Sequence, residues 1–175
     1  MITALKSPAV NVRYLGFRAL KKKGAKAIPA VKELLKHSNK FIRARAIWLL
    51  SKLGAGGRKA VLALAESGEA QKRIVAFRAL RRVNYKFLEL AELFSKDNNP
   101  ALRREAAVAM RDVPFEQAKQ IILNIASRYD GADRTYLEAL GKACSLKEEA
   151  AFKYLSNKMG QGDSLNWSDQ FEAIA

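Results

Sequence analysis

In the stretch Asn39–Gly54, NKFIRARAIWLLSKLG, apolar residues fall at Ala46, Ile47, Leu49, Leu50 and Leu53, between a polar start and a glycine stop. Steps of three and four lay one stripe along a helix, so the spacing predicts an amphipathic helix. The pattern recurs every thirty residues. Leu20, Leu50, Leu80, Met110 and Leu140 form one register, and Gly16, Ala46, Ala76, Ala106 and Tyr136 a second. Ala19, Leu49, Ala79, Ala109 and Ala139 form a third. Arg13, Arg43, Arg73 and Arg103 form a fourth, with Arg134 one residue out of phase. Agreement of four registers marks an internal repeat, each copy reading as two helices. The second helices are expected over about 28–36, 58–66, 85–94, 115–129 and 146–158.

The punctuation fits this frame. Pro8 and Pro100 are placed to open first helices, and Pro29 and Pro114 second ones, where a missing N–H costs nothing. Gly24 and Gly54 stop the first helices at a position that favours positive φ, and Asn84 takes that phase in the third copy. Ser7, Ser38, Ser67, Asn98 and Asp130 are the expected N-caps. After Leu155 the pattern decays into MGQGDSLNW, read as a loop, and SDQFEAIA, read as an N-capped helix that stops while still apolar. A terminal repeat should carry a polar outer face, so the chain is expected to be a piece of something longer. The predicted architecture is all-α: a single domain over 1–175, forming a right-handed α-solenoid of five helix pairs and a partial sixth. Its units are 7–36, 37–66, 67–96, 97–129 and 130–158, with 159–175 as loop and partial helix.

The segments FIRARAIWLLSKLG, KRIVAFRALRRVN and ALRREAAVAMRDVP, within residues 7–155, resemble HEAT repeats of the short-period, HEAT-like form first described in phycobilin lyases. The resemblance implies a superhelix with a structural arginine ladder and says little of function, because one fold hosts many. NPALRREAAVAMRDVPFEQAK, SRYDGADRTYLEALGKAC and NWSDQF are similar to the helical segment of large secreted bacterial proteins described as membrane-bound dehydrogenases, which carry a propeller and a c-type haem domain. That likeness implies a central helical spacer with an extracytoplasmic parent. The haem attachment pattern C-x-x-C-H is absent, so no haem belongs to this stretch.

Composition sharpens the class. The chain has 175 residues, 49% of them apolar and 9% aromatic, which fits a globular helical protein. No apolar run reaches about 18 residues, so no membrane-spanning helix is expected, and the N-terminus lacks a signal-peptide pattern. Cys144 is the single cysteine, so no internal disulfide forms. The net charge of +15 is uneven: residues 1–90 hold 21 Lys/Arg and 4 Asp/Glu, and residues 91–175 hold 11 and 13. A basic half of this kind points to an acidic protein, a nucleic acid or an anionic surface.

Two sets of residues are candidates. Arg13, Arg43, Arg73 and Arg103 read as a structural ladder, each within reach of a polar residue four positions upstream (Asn39, Glu69, Asn99, with Ala9 breaking the series), rather than as phosphate contacts. Arg18, Lys21 and Lys22 recur in phase as Trp48, Ser51 and Lys52, then as Arg78, Arg81 and Arg82, and fade at Val108, Arg111 and Asp112. With Arg45 they form a basic stripe opposite the Ala/Leu face, with Trp48 as an apolar anchor. The bland alternative is a solvated helix face, but such faces usually mix signs.

Catalysis has little support. His37 is the sole histidine and sits at a helix end. One His and one Cys make no zinc site without a carboxylate cluster, and His-Glu pairs of the kind used by iron hydroxylases are missing. Asp112 beside Arg111 is the nearest approach to a glycosylase acid, at a phase expected on the outer face. Bilin-lyase chemistry has no feature in its favour. GAGG at Gly54–Gly57 is a turn between helices rather than a phosphate cradle, since no strand precedes it. Cys144 has no local histidine to activate it. Tyr129, Asp130, Asp133 and Arg134 read as a loop-and-cap cluster with too few oxygens for calcium. The reading is a non-catalytic, monomeric HEAT-like scaffold without cofactor or metal. Its partner is an acidic protein or a neighbouring domain of a parent chain. The alternative is a nucleic-acid-binding module using the basic half.

Overall fold

The computed structural model describes residues 1–160 and 167–174. Among these the chain is all-α, with no strand. It divides into two compact units, Met1–Phe87 and Leu88–Ala175. The first contains α1 (Ile2–Lys6), α2 (Val10–Lys23), α3 (Ile28–Glu33), α4 (Lys40–Leu50), α5 (Ala55–Glu66) and α6 (Ala70–Arg82). The second contains α7 (Phe87–Ser95, whose first residue belongs to the first unit), α8 (Pro100–Ala109), α9 (Phe115–Ala126), α10 (Arg134–Cys144), α11 (Glu148–Met159) and α12 (Asp169–Glu172). Within each unit helices stack on their neighbours in sequence, in the manner of an α-solenoid. In the first, α1 packs on α2, α4 on α3, α5 and α6, and α5 on α6. In the second, α8 packs on α9 and α10, and α9 on α10 and α11.

The repeating registers are the core. Ala46, Ala76 and Ala106 are fully buried, as are Leu50, Leu80 and Met110. Small residues at the first of these phases let helices approach closely, and the large residues fill the space between pairs. The helix ends depart from the expected ones. α3 stops at Glu33 and continues as a 3-10 turn over Leu34–Lys36. α7 starts at Phe87 rather than Tyr85, because Asn84 and Lys86 both adopt positive φ. α9 ends at Ala126, and α11 starts at Glu148 after Leu146 at φ 66°. α1 was not expected at all; it buries Leu5 against α2. The loop expected over 159–167 falls outside the described residues at 161–166. Beyond it α12 is capped by Ser168, whose hydroxyl accepts from the Phe171 N–H, and Phe171 packs against Trp167 with ring centroids 4.8 Å apart.

The expected N-caps lie one to three residues too early. Asn39 caps α4 by accepting from the Phe41 N–H, Asn99 caps α8 from Ala101, and Asp133 caps α10 from Tyr136. The residue two or three positions earlier accepts from the cap's own N–H, or from one beside it. Ser7 Oγ does so from Ala9, His37 Nδ1 from Asn39, Asp97 from Asn99, and Asp130 from Ala132 and Asp133. Ser67 instead donates to the Ala63 carbonyl. Pro8 precedes its helix by two residues and Pro114 is itself an N-cap.

The caps before α10 carry a pH dependence. The Thr135 hydroxyl and the Tyr136 N–H hold the Asp133 carboxyl below its ordinary value of 3.8. The Ala132 and Asp133 N–H groups lower Asp130 in the same way. A carboxyl depressed in the folded state contributes stability above its unfolded value and loses it as pH falls through the folded one. Asparagine caps nearly as well but cannot titrate. Asp133→Asn is therefore expected to show a smaller drop in melting temperature than wild type between neutral pH and about pH 3. Parallel melting curves would exclude the assignment.

One connection in the second unit is closed by an ammonium. Lys147 Nζ lies within hydrogen-bond distance of four carbonyls, those of Met110 at 3.2 Å, Arg111 at 2.8 Å, Ala143 at 3.1 Å and Ser145 at 3.1 Å, among which its three N–H groups are shared. These groups lie at the C-terminal ends of α8 and α10, where the helix dipoles favour a cation, and the Met110 oxygen also accepts the Val113 N–H at 3.1 Å.

Candidate functional site

The ladder arginines turn back on their own loops. Arg43 donates to the carbonyls of His37 at 2.8 Å and Ser38 at 2.7 Å. Arg103 donates to those of Asp97 at 2.7 Å and Asn98 at 3.0 Å, and Arg13 to those of Ser7 and Pro8. The expected side-chain partners four residues upstream are not the acceptors described: Asn39 and Asn99 are occupied as caps. The acceptors are backbone oxygens five and six residues back. Arg73 Nε donates to the Ala65 carbonyl at 3.0 Å, after a loop that turns at Gly68 with φ 109°. Arg103 also reaches the Tyr136 hydroxyl at 2.9 Å, which in turn donates to the Ile125 carbonyl at 2.9 Å.

The basic stripe occupies one face of the first unit. Arg18, Lys21 and Lys22 lie on the exposed side of α2 and, with Tyr14, Phe17 and Lys52, line a recess of about 480 Å³. Trp48, Arg78, Arg81 and Arg82 line another of about 400 Å³. Between them Leu5, Val10, Arg13, Tyr14, Phe17, Arg45 and Trp48 line a third of about 320 Å³. Tyr14 and Phe17 are shared with the first recess and Trp48 with the second, so the three run together. Lys52 lies in the turn after α4, not on the helix. Arg45 is turned inward and donates to the Leu5 carbonyl at 2.9 Å. Burial, reinforced by the charge of Arg13, lowers its pKa from the ordinary arginine value.

The sequence reading named Trp48 as the anchor and missed Tyr14 and Phe17. Phase 17 is core in the later copies, where Ile47, Phe77 and Ala107 are buried, yet Phe17 is only partly buried and Tyr14 is 59% exposed. Each supports a cation: Arg18 Cζ lies 5.7 Å from the Tyr14 centroid and Lys52 Nζ 5.6 Å from that of Phe17.

Elsewhere the chemistry is structural. His37 Nδ1 is engaged by the Asn39 N–H. Burial pushes the Cys144 thiol above its ordinary value, away from the thiolate a nucleophile needs. Asp112 lies in the turn after α8 rather than on a first helix. Among the described residues no three His, Cys, Asp or Glu cluster as metal ligands, and no helix is long and apolar enough to cross a membrane. A separate groove of about 290 Å³ between α4 and α6 is lined by Phe41, Ile47, Ile74 and Val75, with Lys40, Arg43, Glu69 and Lys72 among its polar residues.

Residues 1–83 match the family model for HEAT repeats. No curated protein matches the chain. Among solved structures, a designed armadillo repeat protein is similar at 13% identity and a TM-score of 0.48, over 99% of this chain and 98% of that one.

Proposed function

We propose that this chain is a non-catalytic, monomeric repeat scaffold that holds an acidic protein, or an acidic neighbouring domain of a parent chain, on the basic face of α2, α4 and α6. The observation that carries the reading is the run of three joined recesses, none of whose lining residues is acidic. The acids of residues 1–90 lie elsewhere, with Glu33 paired to Lys36 and Glu69 to Lys72. A concave face of one sign concentrates field and draws oppositely charged partners.

Titration of the chain with polyglutamate at low salt tests this. Binding is expected, weakening as salt rises, and the triple substitution Arg18→Glu, Lys21→Glu, Lys22→Glu is expected to reduce affinity at least about tenfold. All three positions are solvent-exposed, so folding should survive. Unchanged affinity in the triple variant would sink the assignment. Tighter binding to duplex DNA than to polyglutamate at matched salt would replace it with a nucleic-acid module.

A further inference from the structure

The middle recess differs from its two neighbours. Its walls are Leu5, Val10, Tyr14, Phe17 and Trp48. The two arginines that also line it are engaged by backbone, Arg13 with the Ser7 and Pro8 carbonyls and Arg45 with the Leu5 carbonyl. An apolar recess thus lies between a cluster of Arg18, Lys21, Lys22 and Lys52 on one side and Arg82 on the other.

Resting on the function proposed above, we infer that the partner contributes an acidic segment bearing one large apolar side chain, which seats in the recess beside Trp48 while carboxylates on both sides of it meet the flanking cations. Charge complementarity selects the segment. The apolar walls select the anchor, because apolar area leaves water there with no polar group to satisfy. A packed aromatic centre within a polar rim is the usual anatomy of a binding hot spot.

Single-stranded nucleic acid also alternates negative charge with flat apolar groups. Two features favour the peptide. Cations already lie over the rings of Tyr14 and Phe17, so a stacking base must displace them. The recess walls are apolar side chains, so the polar edges of an inserted base would be stripped of water without compensation.

The test uses the full chain and three fluorescent probes: an Asp/Glu nonapeptide with a central Phe, the same peptide with a central Ala, and oligo-dT. The Phe peptide is expected to bind about tenfold more tightly than the Ala peptide at matched salt. Trp48→Ala is expected to erase that advantage, bringing the ratio of the two peptides' affinities to about one. Val10→Asn, at a position 66% exposed and so unable to unfold the helix by loss of packing, is expected to reduce the advantage too. Equal affinity for the two peptides in the wild type overturns the anchor but leaves the acidic-partner reading standing. An advantage that persists in both variants also overturns it. Failure of both peptides to bind removes both readings, and oligo-dT binding more tightly than the Phe peptide replaces them.

Discussion

Replacing Gly57 with alanine is expected to lower the stability of the first unit by about 3 kcal/mol, read as a fall in the urea midpoint. A Cβ at Gly57 would stand 2.1 Å from the Leu50 carbonyl oxygen and 3.2 Å from Leu53 Cβ. The nearer atom is backbone at the end of α4, and it already accepts the Leu53 N–H at 3.0 Å. Relief therefore requires the start of α5 to move away from α4, which loosens buried Val61 and Ala65 behind it. The neighbouring glycine supplies the control. A Cβ at Gly56 meets only the terminal methyl of Ile28, at 3.3 Å, and that side chain can turn aside. Gly56→Ala should be neutral or slightly stabilising, since alanine is the better helix former. If both variants melt with the wild type, the close approach of α4 and α5 is wrong.

Arg103→Met is expected to cost about 3 kcal/mol, more than the same change at Arg13. The guanidinium joins the carbonyls of Asp97 and Asn98 to the Tyr136 hydroxyl, and its Cζ lies 5.2 Å from the Tyr136 ring centroid. Methionine keeps the stem and removes every donor, stranding partly buried acceptors. Lysine should not rescue it, because a point ammonium cannot reproduce a fork that serves two carbonyls and a hydroxyl at once. Arg13→Met, which loses one exposed and one partly buried carbonyl partner, should cost about 1 kcal/mol. A loss below that figure for Arg103 would mean the network does not bear on stability.

The repeat was legible because burial leaves a periodic mark. Ala46, Ala76 and Ala106 recur in step, and the step survives because each lies at the same helix contact. Ends were less legible. Several polar residues cluster before each helix, and composition does not say whether Ser38 or Asn39 turns its oxygen to the first free N–H. The ladder's partners were invisible for a simpler reason: every residue carries a carbonyl, so an acceptor in the backbone leaves no trace in the sequence. α1 has five residues, too short for a period to declare itself. At the candidate site the cations showed as a one-signed run, but the inward turn of Arg45 did not. That turn depends on the Leu5 carbonyl, forty residues away. The aromatic recess needed the exposure of Tyr14, which only packing reveals.

The backbone bonds of Arg13, Arg43 and Arg103 have a consequence for how such a chain can vary. An arginine that addressed loop side chains would tie its own identity to theirs, and any change in one would demand a change in the other. A guanidinium that addresses carbonyls is indifferent to what the loop displays. The connectors before α2, α4 and α8 are thus free to vary wherever their side chains do not serve as caps, as Ser7, His37, Asn39, Asp97 and Asn99 do. Their remaining outward side chains can be rewritten while the same fork closes the turn.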